Sequence, residues 1–486
     1  MAPDFDNSYV HLPERFYTRL APVPVSAPEL ILANRKLAEQ LGIDPDWLES
    51  EQGIQTIAGN HVPEGADPIA TVYAGHQFGS FNPRLGDGRA ILLGEVLGTD
   101  GERYDLQLKG SGITPYSRNG DGRAPLGPIL REYLLSEAMA VLGVPTSRTL
   151  AAVTTGDGVY REQRLPGGVL VRVARSHIRI GTVQYFASTQ DHEGLSQLID
   201  HVIARHYPEA ADSDNPVLTL YQLISVRIAE LIAHWQSIGF IHGVMNTDNM
   251  LLSGETIDYG PCAFMDGYDS AAVFSSIDHG SRYAYRNQPP IAQWNLACLG
   301  QCLLPLIDDD EETATEAAQD VLNAFPERYM NAWFGRLRDK FGLSEAREED
   351  ETFMQDFLEL LEAGRHDYTL AFRHLADRAA ESDDAAVPFE LPETFSAWLE
   401  RWQSRCEEES VAAEQRKAAM LKTNPAFIPR NHLVEEAINR AYAGDLSNFH
   451  ELYERLQTPF VYDEADARLA QPPMPHEIVQ QTFCGT

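Results

Sequence analysis

Apolar residues change their period along this chain. In the first part they tend to alternate, and beyond residue 217 they recur every three or four positions. In residues 104–109, Leu106 and Leu108 fall on one face, with Asp105, Gln107 and Lys109 on the other. This predicts a strand that sends Lys109 away from the apolar packing face. Residues 90–96 predict another strand, as do residues 168–174 and 182–186. Residues 128–142 predict a helix: Pro128 sits in its first turn, Ile129, Tyr133, Leu134 and Met139 line one side, and Glu132 and Glu137 both lie on it. Residues 1–70 read as an irregular entry with a helix near 30–41.

After residue 217 the pattern is helical. Leu220, Ile224, Ile228, Leu231, Ile232 and Trp235 form a long stripe that stops just before Gly239. Residues 291–306 predict a second buried helix, and residues 308–320 an acidic loop and helix start. Helices continue through 350–380 and again through 394–456. A stretch rich in Asp, Ala and Pro at 381–392 reads as a linker, and the tail from Thr458 contains prolines. No internal repeat is present. The expected class is α+β, with a strand-rich first half and a helical second half.

Composition narrows the function. With 43% hydrophobic and 9% aromatic residues the chain reads as soluble and globular. No unbroken run approaches the ~18 apolar residues of a membrane span, and the acidic start at residues 1–7 has no apolar signal region. A cytoplasmic protein without membrane contact is the expectation. A formal net charge of −34 argues against general nucleic-acid binding. Between Arg103 and Phe186, however, eleven Lys/Arg stand against six Asp/Glu. That local excess suggests a site for an anion such as a nucleotide's phosphates, or else arginines paired with acidic residues at a domain contact. The five cysteines include no Cys-x-x-Cys pair, which argues against a structural zinc site and a disulfide framework. Cys298 and Cys302, four apart in an apolar stretch, read as packing.

The densest chemistry lies just past the long helical stripe. His242-Gly-Val-Met-Asn-Thr-Asp-Asn249 is followed by Asp258-Tyr-Gly260. A protein kinase loop reads His-Arg-Asp-x-x-x-x-Asn and is followed by Asp-Phe-Gly, the Asn and second Asp holding metal. Asn249 and Asp258 fit those ligand places, hard oxygen donors suited to Mg²⁺ or Mn²⁺. The place of the kinase base is taken by Val244, which accepts no proton. Asp248 is then the candidate general base, or alternatively a structural cap or outer-sphere residue. Upstream, Gly86-Asp-Gly88-Arg89 is either a phosphate cradle or an ordinary hairpin turn. Lys109 on the next strand is a candidate phosphate anchor. Spacing leaves Glu132 and Glu137 undecided as its partner.

Taken together, the chain resembles the selenoprotein O family over nearly its full length. The resemblance rests on Tyr73-Ala-Gly-His-Gln-Phe-Gly79, Leu85-Gly-Asp-Gly-Arg89, Gln107-Leu-Lys-Gly-Ser-Gly112, Asp121-Gly-Arg123, His242 to Met250, Asp258-Tyr-Gly-Pro-Cys262, Asn287-Gln-Pro289, Trp294-Asn-Leu296, Asn424-Pro425 and Arg430-Asn431. It implies a two-lobed protein-kinase-like fold: an N-lobe at 71–190, a helical C-lobe at 191–380, and extensions at 1–70 and 381–486. It also implies ATP bound in a flipped orientation and transfer of AMP to Ser, Thr or Tyr hydroxyls of proteins, with UMP transfer from UTP and Mn²⁺ also linked to the family. Redox proteins and the chain itself are among the implied acceptors.

By motif, the nucleotide residues would be Gly86, Gly88, Arg89, Lys109, Asp121, Gly122, Arg172, Arg179 and Asp258. Glu132 would pair with Lys109, Asp248 would be the base, and Asn249 and Asp258 the metal ligands. Cys484 stands where family members often carry selenocysteine, and a reversible Cys262–Cys484 disulfide is the associated redox hypothesis. A conventional protein or small-molecule kinase and a non-catalytic ATP-binding scaffold are the competing classes.

Overall fold

The computed structural model describes residues 2–380 and 386–479. Its first part is built on an antiparallel sheet. The strands are β1 (Tyr17–Arg19), β2 (Glu29–Ala33), β3 (Ile69–Thr71), a small hairpin of β4 (Gly75–Gln77) and β5 (Ser80–Asn82), β6 (Ala90–Leu97), β7 (Arg103–Lys109), β8 (Ala124–Pro125), β9 (Arg148–Tyr160) and β10 (Arg164–Ala174). The main sheet runs β1-β3-β6-β7-β10-β9-β2, with β8 on β10 and the β4–β5 hairpin apart from it. Ala90 pairs with Lys109 across β6–β7, and Leu170 pairs with Lys109 across β10–β7. This register sets Lys109, at the end of β7, between the start of β6 and the middle of β10.

Each face of the sheet has its own cover. Leu106 and Leu108 of β7, with Val169, Val171 and Val173 of β10, pack in one cluster with residues of α1 (Arg35–Gln40), α2 (Pro45–Leu48) and α3 (Glu51–Ile57). Against the opposite face lies α4 (Leu126–Val141). The β7 alternation expected from sequence is therefore present, and Lys109, on its polar side, is buried.

The second part is helical: α5 (Ile180–Ser188), α6 (His192–His206), α7 (Pro216–Ser237), α8 (Gln288–Ile307), α9 (Glu311–Asn323), α10 (Phe325–Phe341), α11 (Asp350–Gly364) and α12 (Tyr368–Arg378). Two short strands, β11 (Phe240–Ile241) and β12 (Ala263–Phe264), pair beneath the site. Then follow α13 (Ser396–Glu407), α14 (Ala413–Thr423), α15 (Asn431–Tyr442), α16 (Ser447–Leu456) and α17 (Ala467–Ala470). The fold is mixed α+β. By length and composition, α7 and residues 285–307 could each cross a membrane. Here the apolar stripe of α7 (Leu220, Ile224, Ile228, Leu231) belongs to the main core.

Three expectations need correction. Residues 182–186 are helical and lie within α5. Thr182 Oγ1 accepts a hydrogen bond from the Arg179 backbone N–H at 3.1 Å, closing the first turn, and Ile180, Val183 and Phe186 turn inward. The region 30–41 is a strand followed by a helix: β2 pairs with β9, and Asn34 caps α1 by accepting from the Leu37 N–H. Residues 1–70 are more regular than expected, since β1 and β3 join the main sheet. Residues 381–385 of the expected linker lie outside the described residues. Beyond them Val387 is buried, and its N–H donates to Asp377 at 3.1 Å.

Arg430 ties distant pieces of the helical part together. Wholly buried, it pairs with Asp266 and, at 2.8 Å, with Asp367, and it donates to the Ala470 carbonyl at 2.9 Å. Asp367 in turn caps α12. Removing the guanidinium leaves two carboxylates in the interior without their cation. Arg430→Met is expected to cost about 3–5 kcal/mol, read from urea unfolding; a loss below about 1 kcal/mol, the range of a surface pair, would contradict this account.

Candidate active site

Lys109 sits at the end of β7, Glu132 in the second turn of α4, Arg172 on β10 and Asp258 in the loop between β11 and β12. Their side chains meet in one cluster, in which Lys109, Glu132 and Arg172 are buried and Asp258 is half-buried. Lys109 Nζ contacts Glu132 and lies 3.4 Å from Asp258 Oδ1. Arg172 Nε donates to Glu132 Oε1 at 2.6 Å, and its Nη2 is 3.6 Å from Asp258 Oδ1. Burial alone would raise both carboxyl pKa values. Arg172 and Lys109 instead hold Glu132 at about 2. Asp258 is held well below the usual range, because Lys109, Arg172, Arg89 and Arg179 outweigh its burial. Both stay ionised at neutral pH. Glu137 faces elsewhere and binds Arg148 and Asn34, so geometry selects Glu132 as the partner of Lys109.

Lys109, Arg172 and Asp258 of this cluster line a cavity of about 420 Å³, with Glu132 behind them. Gly86, Gly88, Arg89, Asp121 and Gly122 line it as well, as do Arg179, Asp248 and Asn249. Every residue expected at the nucleotide and metal sites is thus brought to one place. Seven Lys/Arg side chains and four aspartates face this cavity, in a chain whose net charge is −34. Arg118 and Arg161 are cations that no motif named, and Arg123 had entered only as part of Asp121-Gly-Arg123; all three lie in the basic stretch 103–186.

The turn at 86–89 is not a hairpin loop. The Asp87 N–H donates to the Thr71 carbonyl at 3.0 Å, and the Asp87 carboxylate accepts from Thr71 N–H and Oγ1 at 2.9 and 2.7 Å. The turn is therefore strapped alongside β3. Gly86 has φ +116°, and a Cβ there would meet the Tyr116 ring at 2.5 Å, so only glycine fits. Gly122, at φ +67°, has the Gly112 carbonyl oxygen 2.0 Å from where a Cβ would stand. Asp121 is paired with Arg161 at 3.0 Å, which holds its carboxyl pKa down against its partial burial.

The loop carrying Asp248 is held from the other side by the β4–β5 hairpin. The His76 N–H donates to Thr247 Oγ1 at 2.7 Å, and the Phe78 N–H to Asn246 Oδ1 at 3.1 Å. Gln77 Nε2 donates to Asp248 Oδ2 at 3.1 Å. Arg179 stacks on Tyr73 and donates to the Asp248 carbonyl at 2.6 Å. The segment Tyr73–Gly79, which carried no chemical role in the sequence reading, is thus the brace of the Asp248 loop. His242 is also structural: buried, stacked on Trp235, it donates from Nε2 to the Ile257 carbonyl at 2.8 Å.

Asp248 itself is buried, and its Oδ1 has no hydrogen-bond partner among the described residues. Burial pushes its pKa up to about 6, against the opposing pull of Arg179 and Gln77. Such a carboxylate accepts a proton near neutral pH far better than a solvated one. Asn249 gives its amide Nδ2 to the Val244 carbonyl at 3.0 Å, which leaves its Oδ1 as the acceptor. That oxygen and the ionised Asp258 suit a hard divalent cation shared with phosphates. No cluster of three or more His, Cys, Asp or Glu that could hold a metal occurs among the described residues. Cys262 lies behind the site, wholly buried, its thiol pKa raised by that burial. Cys484 lies outside the described residues.

Comparison with known proteins places the whole chain in one family. The sequence model of the family described as protein adenylyltransferase SelO matches residues 1–457. A protein nucleotidyltransferase YdiU from Rhodopseudomonas palustris (strain BisB5) is 56% identical over 486 residues, covering 99% of each chain. One from Bradyrhizobium diazoefficiens is 55% identical over 485 residues, again covering 99% of each. One from Rhizobium etli is 54% identical over 488 residues, covering 99% of this chain and 97% of that protein.

The raised Asp248 carboxyl carries a stability cost. Its folded pKa of about 6 lies above the ordinary 3.8, so its stabilising protonated form is complete below the lower value and is lost as pH rises through the higher. In EDTA, Asp248→Asn is expected to be roughly 2–3 kcal/mol more stable than the parent at pH 7.5 and about equal to it at pH 4. Equal urea midpoints at both pH values would show that Asp248 is not held in this environment.

Proposed function

The chain belongs to the SelO family of protein adenylyltransferases, and we propose that the cavity around Lys109, Asp248 and Asp258 is where it transfers AMP from ATP to hydroxyl side chains of proteins. The observation that carries this reading is the pairing of one buried, weakly acidic carboxylate, Asp248, with a wall of buried cations, Lys109, Arg172 and Arg179. An anionic triphosphate is drawn into such a wall, and the carboxylate stands ready for an acceptor proton.

Asp248 takes the proton from a Ser, Thr or Tyr hydroxyl. The freed oxygen forms a bond to the α-phosphorus, the bond from that phosphorus to the β-phosphate bridge breaks, and pyrophosphate leaves. In this reading the nucleotide is flipped relative to kinases, its γ-phosphate lying among Lys109, Arg172 and the cations near Asp121 and Gly122. Gly86, Gly88 and Arg89 hold the phosphate chain. Bidentate guanidinium groups suit that load. Asn249 and Asp258 would hold Mg²⁺ or Mn²⁺ with the phosphates, and such an ion when bound offsets phosphate charge. Glu132 keeps Lys109 and Arg172 in place.

The same reading takes the fold as two-lobed and protein-kinase-like. Its support is the strand lysine paired with a helix glutamate above a helical body that carries the His242–Asn249 loop and Asp258. It treats UTP as an alternative donor, redox proteins and the enzyme itself as acceptors, and the cytoplasm as the location. Pairing of Cys262 with Cys484 would require the segment around Cys262 to open, since that thiol is wholly buried.

Label position separates this reaction from phosphoryl transfer. With α-labelled ATP the label is expected on protein, and with γ-labelled ATP it is not; the reverse result would make the chain a kinase despite Val244. Asp258→Ala is expected to remove the signal. Gly75→Ala offers a finer check, because its Cβ would stand 2.6 Å from Asp248 Oδ1. It is expected to lower kcat by about a hundredfold through misplacement of the base, with ATP affinity within about twofold of the parent. Unchanged kcat would remove Asp248 from the base role.

A further inference from the structure

Glu132 is only as well placed as the helix that carries it, and that helix is gripped from behind. Arg131, the preceding residue, is buried at 4% exposure and points away from the cavity into the C-terminal helices. Its Nη1 donates to the Cys262 carbonyl at 3.0 Å, four residues past Asp258. Its Nη2 donates to Asn431 Oδ1 of α15 at 2.8 Å and to Glu435 of the same helix. Tyr133, the next residue, stacks edge-on against Phe449 and Tyr453 of α16. One turn earlier, a Cβ on Gly127 would collide with the Tyr442 hydroxyl at 2.3 Å, so α15 lies directly on α4. Successive helix residues point about 100° apart. Residues 131, 132 and 133 therefore divide between two tasks, the middle one serving the cavity and its neighbours the C-terminal helices.

We propose that the C-terminal helical segment, residues 431–456, is a clamp that holds α4 in the position where Glu132 engages Lys109 and Arg172, with Arg131 as its positioning residue. The proposal rests on the reading of the cavity as the nucleotide-transfer site. One guanidinium joins α4, the segment after Asp258 and α15. Loss of its grip lets α4 shift relative to both β7 and the Asp258 loop, and Glu132 leaves its two cations. A ligand or protein that pulls on α15 or α16 would act on transfer by this route, without entering the cavity.

A double-mutant cycle tests the clamp, with transfer from α-labelled ATP and thermal unfolding read on the same full-length samples. Arg131→Met is expected to lower kcat/KM for ATP at least about tenfold, and Arg131→Lys to recover part of the loss. In a Glu132→Gln background, Arg131→Met is expected to change transfer by less than about twofold while still lowering the unfolding midpoint, because its effect on activity passes through Glu132. Losses that multiply in the double variant would overturn the clamp and leave Arg131 a folding residue only. So would full activity in Arg131→Met alone. Glu435→Ala, at a carboxylate with 31% of its side chain exposed, replaces Arg131→Met in the cycle if the latter does not fold. Full transfer by Glu132→Gln would overturn the site reading itself, and the clamp with it.

Discussion

Two buried cations, a buried glutamate and a half-buried aspartate, contributed by β7, β10, α4 and the Asp258 loop, are the constraint on which the rest of this structure turns. Lys109, Arg172, Glu132 and Asp258 are tolerable in the interior only together, since removing any one leaves an uncompensated charge. Buried ion pairs are poor sources of net stability, and this one is better understood as a placement device. It fixes the end of a strand, the face of a helix and the turn of a loop relative to one another. In doing so it holds a cationic wall where a strongly anionic ligand can replace solvent.

The surrounding architecture serves that wall. The sheet has apolar residues on one side of β7 and β10, facing α1–α3, and charged residues on the other, facing α4. The β4–β5 hairpin secures the Asp248 loop through backbone donors, and Arg179 bridges from the start of α5 to the Asp248 carbonyl. An acidic surface elsewhere leaves the cavity as a concentrated exception in sign. In an otherwise anionic protein, that contrast sets the proposed nucleotide site apart by its charge.

Much of the candidate site was legible in the sequence because its residues sit in short ordered motifs. Lys109, Asn249 and Asp258 were recognisable by residue type and order, and Asp248 because Val244 left the neighbouring carboxylate as the available base. What periodicity could not show was what covers the second face of β7: α4 lies there, and its Glu132 meets Lys109 in the interior. Glu132 and Glu137 are indistinguishable in spacing, but five residues of helix turn them to different neighbours. The role of Tyr73–Gly79 was hidden because its partners lie some 170 residues away along the chain. Residues 182–186 mislead for another reason. Thr, Val, Tyr and Phe favour strands, but burial of Val183 and Phe186 on one side decides for the helix α5.

The most direct test of the central claim is a crystal structure with a non-hydrolysable ATP analogue and Mg²⁺. The γ-phosphate is expected among Lys109, Arg172 and the cations near Asp121, with the α-phosphate facing Asp248. A γ-phosphate facing Asp248, with the adenine at the Lys109 end, would contradict that claim.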